Sequence, residues 1–471
     1  MKIVFITPAS FVRRLPIYRF NSHLYGHTNA ITGPLVLGSI VKRAGHEVAV
    51  YEELNGAVPF EDLLETTDVF CFSIMTANAP RAYELADRVH REGRGRVIIG
   101  GIHATAMPEE AAAHADQVVT GEAERVILDI VEGRNTQKIV KGIPVEDLDA
   151  IPFADYSLLE TPCESANILT TRGCPFQCSF CTTTRMFYPY RQRSVDNVIA
   201  EIRLAKERGF RYMNFEDDNF TADKERAKEI CRRMIAENLL FKETFFFGRT
   251  DMARDPELLD LLQRAHLTRV LIGIESLNQN ALDTVNKHQN ILDIQRAGVA
   301  CRNHKIRLIA SIVLGIDDDS PEDMRRAVDF AKSIDAYQLQ PAILTPYPQT
   351  PLYRQFVAED RMITDDWTQF DMMNVTFQPK KMSPWALQKE FYRAARHFYD
   401  LPSSIKIGRL FGREYGWRRF GLAIMARIGS LAVDIAGHVV KSNPYYKLRH
   451  LPWRYSSAGK PLPLKPHHAQ G

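Results

Sequence analysis

The first 140 residues alternate short apolar runs with amphipathic stretches. Lys2–Thr7, Glu47–Tyr51, Val69–Ile74 and Arg96–Ile99 are rich in β-branched and aromatic residues, as buried strands are. Pro34–Ala44, Arg81–Glu92 and Pro108–Ala113 repeat their apolar side chains at helical spacing. That alternation predicts an α/β domain over 1–140, a doubly wound, Rossmann-like parallel sheet with helices on both faces. Ligands of such sheets bind beyond the carboxyl ends of the strands. Two loops fall there: Gly100-Gly-Ile-His-Ala-Thr105, and Gly121-Glu-Ala-Glu124 after a short strand Gln117–Thr120. Residues 141–165, with Asp147-Leu-Asp-Ala-Ile-Pro-Phe-Ala-Asp155, read as a linker. The strand-then-helix pattern restarts at 166 and recurs six times to 355, with strands at Asn167–Thr171, Arg211–Phe215, Phe245–Gly248, Arg269–Ile274, Arg307–Val313 and Tyr337–Ile343. Six units predict a partial (β/α)6 barrel, with its chemistry at the carboxyl ends of the strands. Residues 356–460 read as a helical extension, in which Ser383-Pro384 opens a helix as cap and first residue. Residues 461–471 read as disordered.

Composition, 45% hydrophobic and 25% charged over 471 residues, fits a chain of two or three globular domains. The net charge of +3 hides an asymmetry: residues 401–471 hold 12 Lys and Arg against 2 Asp and Glu, a net of +10, and the remaining 400 residues carry −7. Within that basic region a helix over Phe420–Val440 sets Arg427, Ser430, Asp434, His438 and Lys441 on one stripe, the rest of its circumference being apolar. Arg413, Arg418, Arg419, Lys447, Arg449 and Arg454 flank it. Two readings stand side by side: a helix lying on an anionic membrane surface through 420–441, and a helix buried against the barrel. A transmembrane span would not keep such a stripe, and no RNA-binding module accompanies the charge, so nucleic acid is not expected as a partner. The apolar start Met1–Thr7 is too short for a signal peptide and leads straight into the first strand. With unpaired thiols, this predicts a cytoplasmic protein, in peripheral contact with the inner membrane face if the tail helix lies on lipid.

Three of the seven cysteines lie together in Thr171-Arg-Gly-Cys174-Pro-Phe-Gln-Cys178-Ser-Phe-Cys181. An iron-sulfur cube takes four thiolates, so a C-x3-C-x2-C loop leaves one iron open to a substrate or cofactor. Zinc would need a fourth protein ligand, and the flanking residues to Tyr190 offer neither cysteine nor histidine. Cys71 falls in an apolar strand, Cys231 and Cys301 in helical segments and Cys163 in the linker, which leaves one cluster.

This loop, with Phe180 before its last cysteine, resembles that of radical S-adenosylmethionine (SAM) enzymes. The resemblance implies that Cys174, Cys178 and Cys181 hold a 4Fe-4S cluster, that SAM chelates the open iron, and that an electron from a donor such as flavodoxin or ferredoxin cleaves SAM to methionine and a 5′-deoxyadenosyl radical. By the same resemblance the crowded carboxylates Glu216, Asp217 and Asp218 receive the SAM amino group, with Asp223 or Thr221 as the helix-capping alternative. Arg249 takes the SAM carboxylate or pairs with Asp251, Glu275 contacts the ribose, and Gly315 admits adenine or is a plain turn. The first domain resembles the cobalamin-binding domain found ahead of many such barrels, which assigns Gly33, Gly100, Gly101, His103, Thr105, Gly121 and Glu122 to cobalamin. The D-x-H-x-x-G motif of histidine-ligated cobalamin proteins is absent, so the lower cobalt ligand is unassigned. Leu344-Thr-Pro-Tyr-Pro-Gln-Thr-Pro-Leu-Tyr353 is similar to a segment of the same group in which glycine usually stands at Gln349, a turn of positive φ; Tyr347 and Tyr353 face substrate or cap the barrel. The implied activity is cobalamin-dependent methylation of an unactivated carbon on a hydrophobic lipid, terpenoid or tetrapyrrole. Radical cyclisation or rearrangement is the second reading, and a cluster-bearing sensor without turnover the alternative of another class.

Overall fold

Strand β1 (Lys2–Thr7) is apolar along nearly its whole length and is buried on both faces, as a central strand of a parallel sheet must be. The structure, a computed structural model, describes residues 1–10, 28–439 and 443–455. The anticipated disorder of 461–471 and the position of Lys441 lie outside these residues. Around β1 are β2 (Glu47–Glu52), β3 (Val69–Ser73), β4 (Arg96–Gly100), β5 (Gln117–Thr120) and β6 (Ile139–Lys141). The parallel sheet has the order β2-β1-β3-β4-β5-β6. Alternate residues of β1 feed two cores. Val4 and Ile6 join Phe70, Phe72 and Ile99 on one face, while Ile3 and Phe5 join Leu35, Val41 and Ile127 on the other. The strands that follow β1 lie on opposite sides of it, β2 on one and β3 to β6 on the other, so the ligand-binding crevice expected at such a switch lies at these carboxyl ends.

Strand β6 was not anticipated, because three residues at a sheet edge are too few to show a period. The linker is also more ordered than its composition predicts. Asp147 and Asp155 cap 3-10 turns at Leu148–Ala150 and Tyr156–Leu158, and Leu159 bridges to Val50 of β2.

The second sheet contains β7 (Ser165–Ile168), β10 (Tyr212–Phe215), β11 (Glu243–Gly248), β12 (Arg269–Glu275), β13 (Arg307–Leu314) and β14 (Gln338–Ile343), while β8 (Thr171–Arg172) and β9 (Arg191–Gln192) form a separate antiparallel pair. The six-stranded order β14-β13-β12-β11-β10-β7 leaves β7 and β14 as unjoined edges, which makes the barrel partial. The single strand expected over Asn167–Thr171 is broken in two. Asp217 accepts hydrogen bonds from the backbone amides of Thr170 and Thr171 and so draws them out of the barrel ladder.

The chain forms two compact units. Of the described residues, the first takes those within Met1–Gln177, Cys181–Val270 and Tyr347–Gln349, and the second those within Cys178–Phe180, Leu271–Pro346 and Thr350–Gly471. In the second unit the helices Pro384–Phe398, Leu401–Phe411 and Arg413–Val439 follow the last strands. Ser383 caps the first of these, accepting from the amide of Ala386. The long helix does not turn its polar stripe to one environment: Ser430 of the stripe is buried and Asp434 half-buried. Arg419, Ala423, Ser430, Val433 and Gly437 are buried, whereas Arg427 and His438 are exposed. Small residues face inward because the neighbouring helix comes close: a Cβ on Gly437 would stand 2.5 Å from the Trp385 ring.

Candidate active site

The glycine loops of the first sheet and the carboxyl ends of β7, β10 and β11 meet within the first unit around a cavity of about 700 Å³. One wall is Ile74, Met75, Gly100, Gly101, Gly121 and Glu122 together with Ile31–Pro34. The other includes Leu169, Arg172, Glu216, Asp218 and Phe247. Most of the lining is apolar, with Phe5, Cys71, Ile98, Val119 and Ile127 at its floor.

Glycine is required at two points of this wall. Gly101 has φ +105°, and a Cβ there would stand 2.6 Å from the Ile74 carbonyl oxygen. Gly121 has φ +74° and would project a Cβ into open space, as would Gly33. Backbone alone thus borders the cavity at Gly33 and Gly121. Thr105 fixes the two loops together: its hydroxyl donates to the Gly101 carbonyl (2.9 Å) and accepts from the Gly121 amide (2.8 Å). Thr105 and His103 do not line the cavity. His103 is fully buried, with Nδ1 3.3 Å from Thr76 Oγ1 and Nε2 3.2 Å from Glu110 Oε1, so it braces its loop from behind.

Glu122 lines the cavity, but its carboxylate is occupied by Arg172, Arg191 and the Val145 amide. Burial works to raise its pKa, yet the hydrogen bonds from Arg191 and Val145 and the two guanidinium charges hold it below the usual range. Glu122 is therefore a tie between the first domain and the β8–β9 pair. Neighbouring Glu124 receives Arg172 on one oxygen and leaves Oε2 buried without a hydrogen-bond partner among the described residues. Arg172, Arg191, Glu124 and Thr32 were not singled out from sequence. The signal available was charge complementarity between the acidic loop Gly121-Glu-Ala-Glu124 and the arginine ahead of Gly173.

The three consecutive carboxylates after β10 point three ways. Glu216 enters the cavity wall, where it accepts from the Thr32 hydroxyl (2.5 Å) and Asn167 Nδ2 (2.7 Å), and burial pushes its pKa up to about 7. Asp217 is fully buried and holds the β7–β8 turn through the amides and hydroxyls of Thr170 and Thr171. Its two oxygens are thus engaged by the fold. Asp218 is exposed to the cavity, hydrogen-bonded by Thr183 just after the cysteine loop, and its charge is felt at Cys174; burial raises it to about 6. Asp223 caps the following helix, accepting from the Arg226 amide.

Arg249 stacks its guanidinium over Phe176 of the cysteine loop, 3.8 Å from the ring centroid. Asp251 instead pairs with Lys224 (3.1 Å), so the anticipated Arg249–Asp251 pair is not the arrangement formed. Cys174, Cys178 and Cys181 are half-buried and outside any disulfide, on a loop that begins at Gly173, φ +80°. Three soft thiols on one short loop are a donor set suited to iron and sulfide. Among the described residues no three His, Cys, Asp or Glu side chains stand close enough to hold a metal ion. In the second unit, Glu275 has φ +62° and pairs with Lys287 (2.6 Å), and Ser276 donates to Asp319 (2.9 Å). Gly315, φ +90°, lies under Leu387, to which a Cβ would approach within 2.6 Å. Gln349 adopts φ +63°, so the turn keeps its left-handed geometry without glycine.

Comparison with known proteins agrees with this geometry. The model of the radical SAM superfamily matches residues 168–331, and that of the B12 binding domain matches residues 21–131. The chain is 29% identical over 417 residues to the bacteriochlorophyllide d C-12(1)-methyltransferase of Chlorobaculum tepidum, covering 85% of this chain and 89% of that one. It is 26% identical over 368 residues to the anaerobic magnesium-protoporphyrin IX monomethyl ester cyclase of Cereibacter sphaeroides, covering 71% and 58%. The radical SAM methyltransferase TsrM of Kitasatospora setae, solved with cobalamin and a 4Fe-4S cluster, superposes with a TM-score of 0.67 at 14% identity over 91% of this chain and 99% of that chain; the likeness is one of fold. The protein is a radical SAM enzyme. Within that superfamily it belongs to the members that carry a B12-binding domain ahead of the barrel, with 4Fe-4S cluster, SAM and cobalamin as cofactors.

Proposed function

We propose that this enzyme methylates an unactivated carbon of a hydrophobic metabolite, a lipid, terpenoid or tetrapyrrole. The observation that carries this reading is an apolar cavity bordered on one wall by the first-domain glycines and on the other by the strand ends beside the cysteine loop. When bound, the cluster supplies the electron for SAM cleavage and cobalamin supplies a carrier for the methyl group. Cys174, Cys178 and Cys181 hold the cluster, their loop gathering the thiols as iron and sulfide enter. Asp218 receives the SAM amino group and Arg249 its carboxylate, with Glu275 and Gly315 serving ribose and adenine. Gly33, Gly100, Gly101 and Gly121 give cobalamin an unobstructed backbone wall, and the orphan oxygen of Glu124 offers an acceptor to one of its amides. The apolar floor excludes water and selects an apolar substrate.

The relatives include methyltransferases and a cyclase, and the methyltransferase is matched over more of both chains, which favours methylation. We place the enzyme in the cytoplasm, in peripheral contact with the inner membrane face through 420–441 and reduced by a flavodoxin or ferredoxin. The test is anaerobic incubation of the cobalamin-loaded enzyme with SAM, a reductant and candidate lipids or tetrapyrroles. Methylation releases both 5′-deoxyadenosine and S-adenosylhomocysteine. Release of 5′-deoxyadenosine alone with a cyclised product would establish the cyclase, and neither product would leave a sensor.

A further inference from the structure

The helix Arg413–Val439 is held to its unit along one side only. Near its start the Arg419 guanidinium, 1% exposed, donates to the carbonyls of Ala336, Tyr337 and Phe398. Near its end Gly437 lies against Trp385. Between these anchors the inward residues are Ala423, Ser430 and Val433. Every large aliphatic on the far side stays in the open: Ile424, Ile428, Leu431, Ile435 and Val439 are 46%, 53%, 61%, 52% and 70% exposed, and Trp417, two turns earlier on the same side, is 72% exposed. The spacing i, i+4, i+7, i+11 makes them one stripe, about 33 Å long at 1.5 Å per residue. Such a run on a helix with an otherwise satisfied inner face marks an interaction surface.

The charges say what covers it. Arg409, Arg413 and Arg418 at one end and Lys447 and Arg449 at the other form no ion pair among the described residues, and the stripe holds no carboxylate. A second copy would meet this face isologously and bring unpaired cations onto cations. The chain's own end, Ser456–Gly471, has Leu462 and Leu464 as its only large aliphatics and is too polar to cover six apolar side chains. An anionic lipid surface complements both features at once. The geometry points to a membrane-docking face formed by Trp417, Ile424, Ile428, Leu431, Ile435 and Val439, which sinks among acyl chains while the flanking arginines and lysine meet lipid phosphates. This deepens the peripheral contact proposed above and rests on it.

The experiment is vesicle flotation of the full-length chain, loaded with cluster and cobalamin, on phosphatidylcholine vesicles with and without phosphatidylglycerol. The wild type floats with the anionic vesicles. Ile428→Ser/Leu431→Ser/Ile435→Ser lowers its partitioning about tenfold or more, and Arg413→Gln/Lys447→Gln reduces the dependence on phosphatidylglycerol and on salt. Unchanged iron content in the triple variant shows that it folds. Wild-type protein that ignores both vesicles overturns the peripheral contact and the face together. Wild-type protein that floats alongside an equally floating triple variant overturns the face alone. A wild-type dimer that the triple variant dissolves, without flotation, assigns the face to a second copy and overturns the proposal.

Discussion

Glu216, Asp217 and Asp218 are consecutive, yet the end of β10 gives each a different surrounding, and side-chain environment rather than sequence position decides what each can do. Asp217 spends its oxygens on backbone amides, so Asp217→Ala should cost about 2–4 kcal/mol through unsatisfied buried donors, read as a fall in melting temperature of the apoprotein. Asp218→Asn removes a charge that burial already disfavours, so it should leave the melting temperature in place and weaken SAM binding about tenfold, measured by equilibrium titration. Equal stability losses in the two variants would contradict these roles. Glu216 has a pH signature. Its folded pKa of about 7 lies above the ordinary 4.5, so the folded state holds the proton more tightly. The resulting stability is complete below about 4.5 and is lost as pH rises through about 7, to a limit of about 3 kcal/mol. Across that window the wild type should lose melting temperature relative to Glu216→Gln, and parallel curves would exclude a neutral carboxyl at this wall.

The elements that sequence revealed best are continuous apolar runs buried on both faces. Gln117–Thr120 is buried through its first three residues and matches its expected bounds, and β1, buried after Lys2, also matches its own. The misses have a common cause, which is that tertiary hydrogen bonding overrides the local pattern. Asp217 breaks the first barrel strand, and β6 is specified by its neighbour rather than by its own three residues. At the site, cysteine spacing and the glycine loops were legible because spacing and composition are local properties. The pairing of Glu122 with two arginines depends on residues 50 and 69 positions away, and the inward turn of His103 depends in part on Thr76, 27 positions away; neither carries a local mark. The Gly101 turn permits a direct test. Gly101→Ala forces φ +105° on a side chain and drives its Cβ against the Ile74 carbonyl, a cost of about 2–4 kcal/mol. Cobalamin content after reconstitution should fall with it, whereas Gly45→Ala, at a turn of φ +92° that does not line the cavity, should lower stability without that loss.

At the scale of the molecule, the wall proposed for cobalamin and the loop proposed for the cluster are contributed by separate stretches of chain, 31–34, 74–75 and 100–124 for the one and 174–181 for the other. Their cofactors should load independently. Cys178→Ala should retain near-stoichiometric corrinoid while iron, sulfide and 5′-deoxyadenosine formation fall to background; joint loss of corrinoid would show that the cavity needs the cluster to form.

The four remaining cysteines bear on how such an enzyme survives air. Burial pushes the thiols of Cys71, Cys231 and Cys301 to about 12 and that of Cys163 to about 11, which keeps them protonated and poor targets for oxidants. The thiolate fraction open to oxidants is therefore small at all four positions. Reaction of these four thiols with one another or with the cysteine loop is correspondingly disfavoured, so a scrambled disulfide joining distant parts of the chain is not the expected product when the protein meets air.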